Sequence, residues 1–452
     1  MNTLQAGFGR VDVTPQLGID IVGYFKVRKA EKVLDPLEIN ALALGCGEDK
    51  VLLMSIDNCS FYKKLCDVYR KAVAEATGVP YGAVLVHCTH THTGPSLRGV
   101  EGGFSEEGTI EYTYQKLVGE KFVEAAKLAV ADMKPAKMGY GVGTAPNVAF
   151  VRRYRMKDGS VRTNPGVDNP DILHPIGETD ERVNVLRFDR EDGESLVLLN
   201  FGNHPDTVGG NNISADWPGF ARRTVEKVLD NTKCIFFNGA QGDVNHVNVH
   251  PTGGDLNDMF MDFDSVSRGY GHARYVGRVV AGAALQVFDK VCYKDVDRIR
   301  FTNWGLEIPS NMPDPKDLPE AHRIHKLHTE GRDAELPYEG MMLTTMVADA
   351  ARKVRLENGP ASFPMELMGV AVGDVAVVGI PGEPFTGIGR GLKKAEGWDL
   401  VLPMCLVNDS RGYFPMRDAY DEGGYEASTS NFKAGVAELL IEEGTKMLGS
   451  LK

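Results

Sequence analysis

A chain of 452 residues with 62 acidic against 50 basic side chains, formal net charge −12, offers no general basic face for phosphate and so points away from nucleic acid as a partner. Its 42% hydrophobic and 25% charged residues are those of an ordinary globular protein. No apolar run approaches the roughly 18–20 residues that cross a bilayer, so no stable membrane insertion is expected. Seven cysteines, none in a CxxC pair, form neither a disulfide framework nor a zinc knuckle. With a start, "MNTLQAGFGRVDVTP", that lacks the pattern of a secretory signal, this usage leads to the expectation of a reducing, cytoplasmic setting.

In chain order, "VLLMSID" (51–57) reads as a buried strand. Phe61, Leu65, Val68, Ala72, Val73 and Ala76 then recur at helical spacing, with Ser60 able to cap the start and Gly78 the end. "AVLVHC" (83–88) follows as a second strand. Such a strand–helix–strand unit predicts an α/β fold, a mixed sheet covered by helices. Further strands are expected at 183–189, 195–201, 234–238, 374–380 and 400–407, and helices at 108–133, 217–230, 266–288, 338–355 and 430–447. Stretches near 145–180 and 248–265, rich in turn residues, read as long surface loops within a single catalytic domain spanning 1–452. A helical insertion near 312–356 contains His322, His325 and His328. Their i, i+3, i+6 spacing could meet a metal, but a solvated polar helix is the plainer reading.

The chemistry is suggested by a repeated position. His90 and His92 follow "AVLVHC", His204 follows "SLVLLNFGN", Asp243 and Asn245 follow "CIFFNGAQG", Glu383 follows "VAVVGIPG" and Tyr413 follows "LVLPMCLVNDSRG". Ligands of open α/β sheets gather beyond the carboxyl ends of strands, so these five turns suggest one pocket for a small-molecule substrate. Each signal has a plain rival. A lone His-x-His can face water, Glu383 can cap the helix starting near Pro384, and Tyr413 can be a rim aromatic. Two imidazoles and a carboxylate suit a catalytic zinc with an open position, which makes the chain a candidate metallohydrolase. His87, inside its apolar run, is expected to be packed or hydrogen-bonded.

The motifs "AGFGRVDVTP", "CTHTHTGP", "NFGNHPDTV", "ISADWPGFA", "NGAQGDVN", "IPGEPFTGIGRGL" and "NDSRGYFP" together resemble the catalytic domain of the neutral, non-lysosomal ceramidases. The resemblance implies one zinc ion held by His90, His204, Glu383 and Tyr413. It also implies His92 and Tyr425 at the reacting group and an arginine at Arg152, with Arg153 the alternative. Two departures stand out. Where the family carries a nucleophilic serine this chain has Asn245, which cannot form an acyl-enzyme. Hydrolysis would then use a zinc-bound water directly, with Asn245 expected to line the nucleophile side and donate a hydrogen bond to the developing oxyanion. His246 beside it is a poor base because neighbours point apart. The chain also ends soon after its last motif, where ceramidases continue into a further domain. The leading expectation is therefore a zinc-dependent hydrolase of a small, soluble amide or ester. The alternatives are a true ceramidase with another nucleophile and a non-catalytic zinc-containing binding protein.

Overall fold

Alternating apolar strands and amphipathic helices assemble a curled main sheet whose outer strands end at the same place. The computed structural model describes residues 3–26 and 28–452. Its first half runs β1 (Leu4–Asp12), β2 (Glu38–Cys46), β3 (Asp49–Ile56), α1 (Lys63–Thr77), β4 (Val84–Cys88), α2 (Ile110–Ala131), β5 (Lys134–Thr144), β6 (Arg182–Arg190), β7 (Ser195–Phe201), α3 (Asp216–Val228), β8 (Thr232–Asn238) and α4 (Tyr270–Phe288). The strands lie in the order β8-β7-β6-β5-β1-β2-β3-β4, with Cys292–Lys294 also paired to β5. The outer pairs β3/β4 and β7/β8 are parallel and the pairs between them antiparallel. The second half adds β9 (Ile299–Pro309), α5 (Leu318–Thr329), α6 (Gly340–Leu356), β10 (Ser362–Val372), β11 (Val375–Gly379), α7 (Thr386–Leu392), β12 (Leu400–Met404) and α8 (Val436–Ser450). Here β9-β10-β11-β12 form a separate sheet, with β11 and β12 parallel.

The two ends of the main sheet are joined by polar groups. The Asn238 backbone N–H, closing β8, donates to His87 Nε2 in β4 at 2.9 Å, and Ser55 Oγ lies 3.0 Å from His87 Nδ1. Burial pushes the His87 imidazole down to about 3, so it stays neutral, as the hydrogen-bonded reading expected. Cys405 N–H, just past β12, donates to Asn238 O at 3.0 Å, and Cys88 N–H to Leu406 O at 3.4 Å. The carboxyl ends of β4, β8 and β12 thus meet at one point.

All seven expected strands and the six long helices are present, with shifted ends. Helix α1 begins at Lys63 after Tyr62 rather than beside Ser60, and Gly78 closes it in the left-handed region at φ 72°. Five long strands escape the sequence pattern: β1, β2, β5, β9 and β10. In β1 the cause is visible, since a Cβ on Gly7 or Gly9 would stand 2.1 Å from the carbonyl oxygens of Ala129 and Ala125 in α2. Glycine allows the helix backbone to lie on the strand and erases the strand signature at the same positions.

The 145–180 segment is not the structureless loop its composition predicts. It holds a small antiparallel sheet of Arg153–Met156, Val161–Thr163 and Ile172–Pro175, while Phe150–Val151 pairs with Val244–Asn245. The 248–265 segment is mostly turns. Helices α5 and α6, within 312–356, pack on each other around Ile324, Leu327, Val347 and Ala350. Its histidines diverge: His322 Nε2 lies 2.9 Å from Glu357 and His328 Nδ1 lies 2.9 Å from Asp333. The polar-helix reading fits this better than a shared metal.

Asp180 moors the end of that segment to Arg182 at 2.7 Å and to Lys393, past α7, at 2.9 Å. Burial alone would raise its carboxyl, but the hydrogen bonds from Arg182 and Lys393 outweigh this and hold it down at about 2. A depressed carboxylate adds stability that is complete above its ordinary pKa of about 4 and fades as pH falls toward 2. Burial also pulls Lys393 down and the pair is partly solvated, so the expected contribution is about 1–2 kcal/mol. Asp180→Asn is expected to lose this at pH 7, with the gap to wild type narrowing from pH 4 to pH 3 in urea unfolding. A gap independent of pH would exclude the ionised carboxylate as its source.

Candidate metal centre

His90 leaves β4 in a left-handed conformation, φ 75°, that a side chain other than glycine adopts only when its surroundings enforce it. Its backbone N–H donates to Asn58 O at 2.8 Å, and its Nδ1 lies 2.9 Å from Cys59 O. His204, beyond β7, is held in the same way, Nδ1 lying 2.9 Å from Gln241 O. A carbonyl can only accept, so each Nδ1 carries a proton and each ring turns its Nε2 inward.

The two Nε2 atoms are 3.3 Å apart, and Glu383 Oε2 lies 3.2 Å from that of His90 and 3.3 Å from that of His204. Three potential acceptor atoms at such spacing repel one another unless a proton or a metal cation lies between them. Donors about 2.0–2.1 Å from a tetrahedral ion are themselves about 3.3 Å apart, so the trio fits a zinc-sized cation. All three side chains are buried. Burial opposes charge on both His90 and Glu383, yet their mutual attraction outweighs it. The imidazole is held above its usual range and the carboxyl well below. Burial and the nearby Arg152 guanidinium instead push His204 down to about 4.

Glu383 and Tyr413 are register partners in a two-residue parallel ladder, with Glu383 N–H donating to Gly412 O at 2.8 Å. The cap of α7 is not Glu383 but Asp243, whose Oδ1 accepts from Thr386 N–H at 2.7 Å. Tyr413 is no rim aromatic: it is buried, its ring stacks 6.3 Å from His204, and the Arg152 guanidinium lies 5.3 Å from its centre. Burial, then Glu383, push its phenol well up, while Arg152 pulls the other way. Arg152 is itself held by Glu426 at 2.6 Å and by Gly242 O at 2.6 Å. Arg153 turns instead to Glu422 at 3.0 Å.

His92 places Nε2 3.2 Å from His90 Nε2, with the rings perpendicular. Burial pushes it well down, to the neutral form, although Asp206 lies 3.5 Å from its Nδ1. Asp206 is held ionised by Arg268, at 3.0 Å to each oxygen, and accepts a hydrogen bond from Tyr24. A Cβ on Gly23 would collide with the His92 side chain at 2.8 Å, so the chain before Tyr24 lies against that ring.

His90, His92, Arg152, Glu383, Tyr413 and Tyr425 line one cleft of about 1030 Å³, with His204 beneath its floor. Asn245 stands behind the wall. Its Nδ2 donates to Asn164 Oδ1 at 3.0 Å, and Asn164, left-handed at φ 46°, faces the cleft. His246 turns away to Ser267 O at 2.7 Å. Asn164, Tyr24, Asp206 and Cys59 also belong to the cleft wall and were not singled out from sequence. The usable signal was for Asp206, two residues beyond His204 in "GNHPDTVG".

A mixed α/β architecture with a metal-competent trio at its strand ends is the class that fold and site define. Its solved likenesses narrow this further. The crystal structure of neutral ceramidase from Pseudomonas aeruginosa matches with a TM-score of 0.74 at 16% identity, covering 100% of this chain and 75% of that one. A ceramidase complexed with C2 matches with a TM-score of 0.70 at 15% identity, covering 100% and 76%. The chain therefore has the neutral ceramidase fold. No family model matches the sequence.

Proposed function

We propose that the protein is a zinc-dependent hydrolase of an amide bond, or next an ester, in a small molecule. The observation that carries this is the His90–His204–Glu383 triangle with 3.2–3.3 Å edges at the floor of a large cleft. A zinc ion held there by these residues and Tyr413 would polarise a carbonyl and make a water acidic near neutral pH.

The protein's own groups divide the remaining work. Neutral His92 reaches the reacting group through Nε2, within hydrogen-bond range of the same centre. Burial keeps the Tyr425 phenol protonated, so its O–H donates to negative charge developing on the carbonyl oxygen. Arg152 is a positioning residue that fixes Tyr413 and favours its ionised form. Asn245 supplies no nucleophile; by donating to Asn164 Oδ1 it orients that side chain so that the Asn164 Nδ2 group is left to donate into the cleft.

The test is metal removal. Dialysis against a chelator is expected to abolish turnover across a panel of amides and esters, and stoichiometric zinc to restore it. Undiminished turnover by verified metal-free protein would overturn the proposal, and a panel without any metal-dependent turnover would favour the non-catalytic alternative. The shared fold favours ceramide cleavage as the second reading, which predicts fatty acid release from a short-chain fluorescent ceramide. The cytoplasmic expectation is supported by seven free cysteines, six of them buried.

A further inference from the structure

The charges around the cleft are unevenly paired. Asp67, Asp409, Asp206 and Asp264 on its wall each have an arginine or lysine partner within 4 Å, and Glu383 belongs to the metal trio. Among the described residues, that leaves Lys64, Arg98 and Arg355 on the wall with no carboxylate within 4 Å, against one unpartnered acid, Glu101. An excess of free cations here runs against the net charge of −12.

The three cations come from separate elements, Lys64 from α1, Arg98 from the loop after β4 and Arg355 from α6. All are exposed and able to reach a ligand. Arg355 donates to Asn431 Oδ1 at 2.6 Å, which steadies the guanidinium without neutralising it. Arg98 and Tyr425 line the same cleft, which connects the cationic wall to the reacting end. Elsewhere the wall carries the exposed rings of Phe25 and Phe263, a surface for an apolar group.

We infer that the substrate is an amphiphilic amide with an anionic head, a carboxylate or phosphate, received by Lys64, Arg98 and Arg355, and an apolar acyl part. This rests on the proposed hydrolase reading and narrows its substrate class. Arginine pairs with either anion through parallel N–H donors, and in a cleft such bonds discriminate more than they do on open surface.

Equilibrium binding tests the inference without requiring turnover. The zinc-loaded protein is titrated with N-octanoylglycine, N-octanoyl-phosphoethanolamine and the neutral N-octanoylglycinamide. At least one anion is expected to bind about tenfold or more tightly than the neutral amide, and which one identifies the head. The Arg98→Gln/Arg355→Gln variant is expected to reduce that preference to less than about threefold. The separate Lys64→Gln variant is expected to reduce it partially, with circular dichroism confirming that each variant folds.

Equal binding of all three ligands would overturn the inference. So would an anion preference that survives in both variants, because the metal itself would then be the anion's partner. Tight, arginine-dependent anion binding together with no metal-dependent turnover across the amide and ester panel would retain the binding site and refute the hydrolase reading alone.

Discussion

Glu383→Ala is expected to leave a folded protein that no longer holds zinc and no longer turns over substrate. Losing an outer partner of a metal ligand already costs about 10–100-fold in affinity, and Glu383 is proposed as a ligand itself, so its removal should exceed the upper end of that range. The two histidines remain fixed by Cys59 O and Gln241 O, so the variant tests the donor set rather than the fold. Elemental analysis should give about one zinc per wild-type chain and little in the variant, with activity lost in parallel. A variant retaining stoichiometric zinc and full activity would sink the assignment. A variant that retains zinc but loses activity would move Glu383 from holding the ion to acting on the substrate.

The largest expected effect on stability lies at an ion pair between α3 and the end of β3. Arg222 in α3 donates to both oxygens of Asp57, at 2.9 and 2.6 Å, and to Glu38 at 3.2 Å. Arg222 and Asp57 are each 1% exposed. Removing one partner of such a pair strands a charge in the interior and typically costs about 3–5 kcal/mol, a large share of the roughly 5–15 kcal/mol that holds a domain folded. Arg222→Met is expected to lose that much in urea unfolding. Adding Asp57→Asn should recover part of the loss, because the amide keeps an acceptor for Glu38 N–H, now 3.0 Å from Asp57, without the charge. A loss below about 1 kcal/mol in the single variant, or no recovery in the double, would show that the interior tolerates the unpaired carboxylate. Asp57 immediately precedes Asn58, whose carbonyl holds the His90 N–H, so reduced zinc affinity should accompany the destabilisation.

How much of this was legible in the sequence follows from where each residue lies. His90, His204, Glu383 and Tyr413 each come just after an apolar run, and strand ends of an α/β sheet converge, so position alone indicated a shared site. Gly7 and Gly9 concealed β1 because the contact with α2 that requires them also removes the side chains from which strands are read. Asn164 and Tyr24 belong to stretches without periodicity and reach the cleft through long-range contacts. Asn164 depends on Asn245, distant in sequence, and Tyr24 on Asp206. No spacing rule connects such pairs.

The short ladder between Glu383 and Tyr413 also bears on how this centre could be altered. Those positions are registered by direct strand pairing, so the chain between them does not measure out their separation. Its turn from Lys394 to Asp399 includes exposed residues and the left-handed Gly397. Extra residues there should carry mainly the slowly growing entropy of a longer loop, about 0.6 kcal/mol for each doubling of its length. That turn is accordingly a place where a peptide tag or a second binding module could be grafted while both side chains keep their alignment.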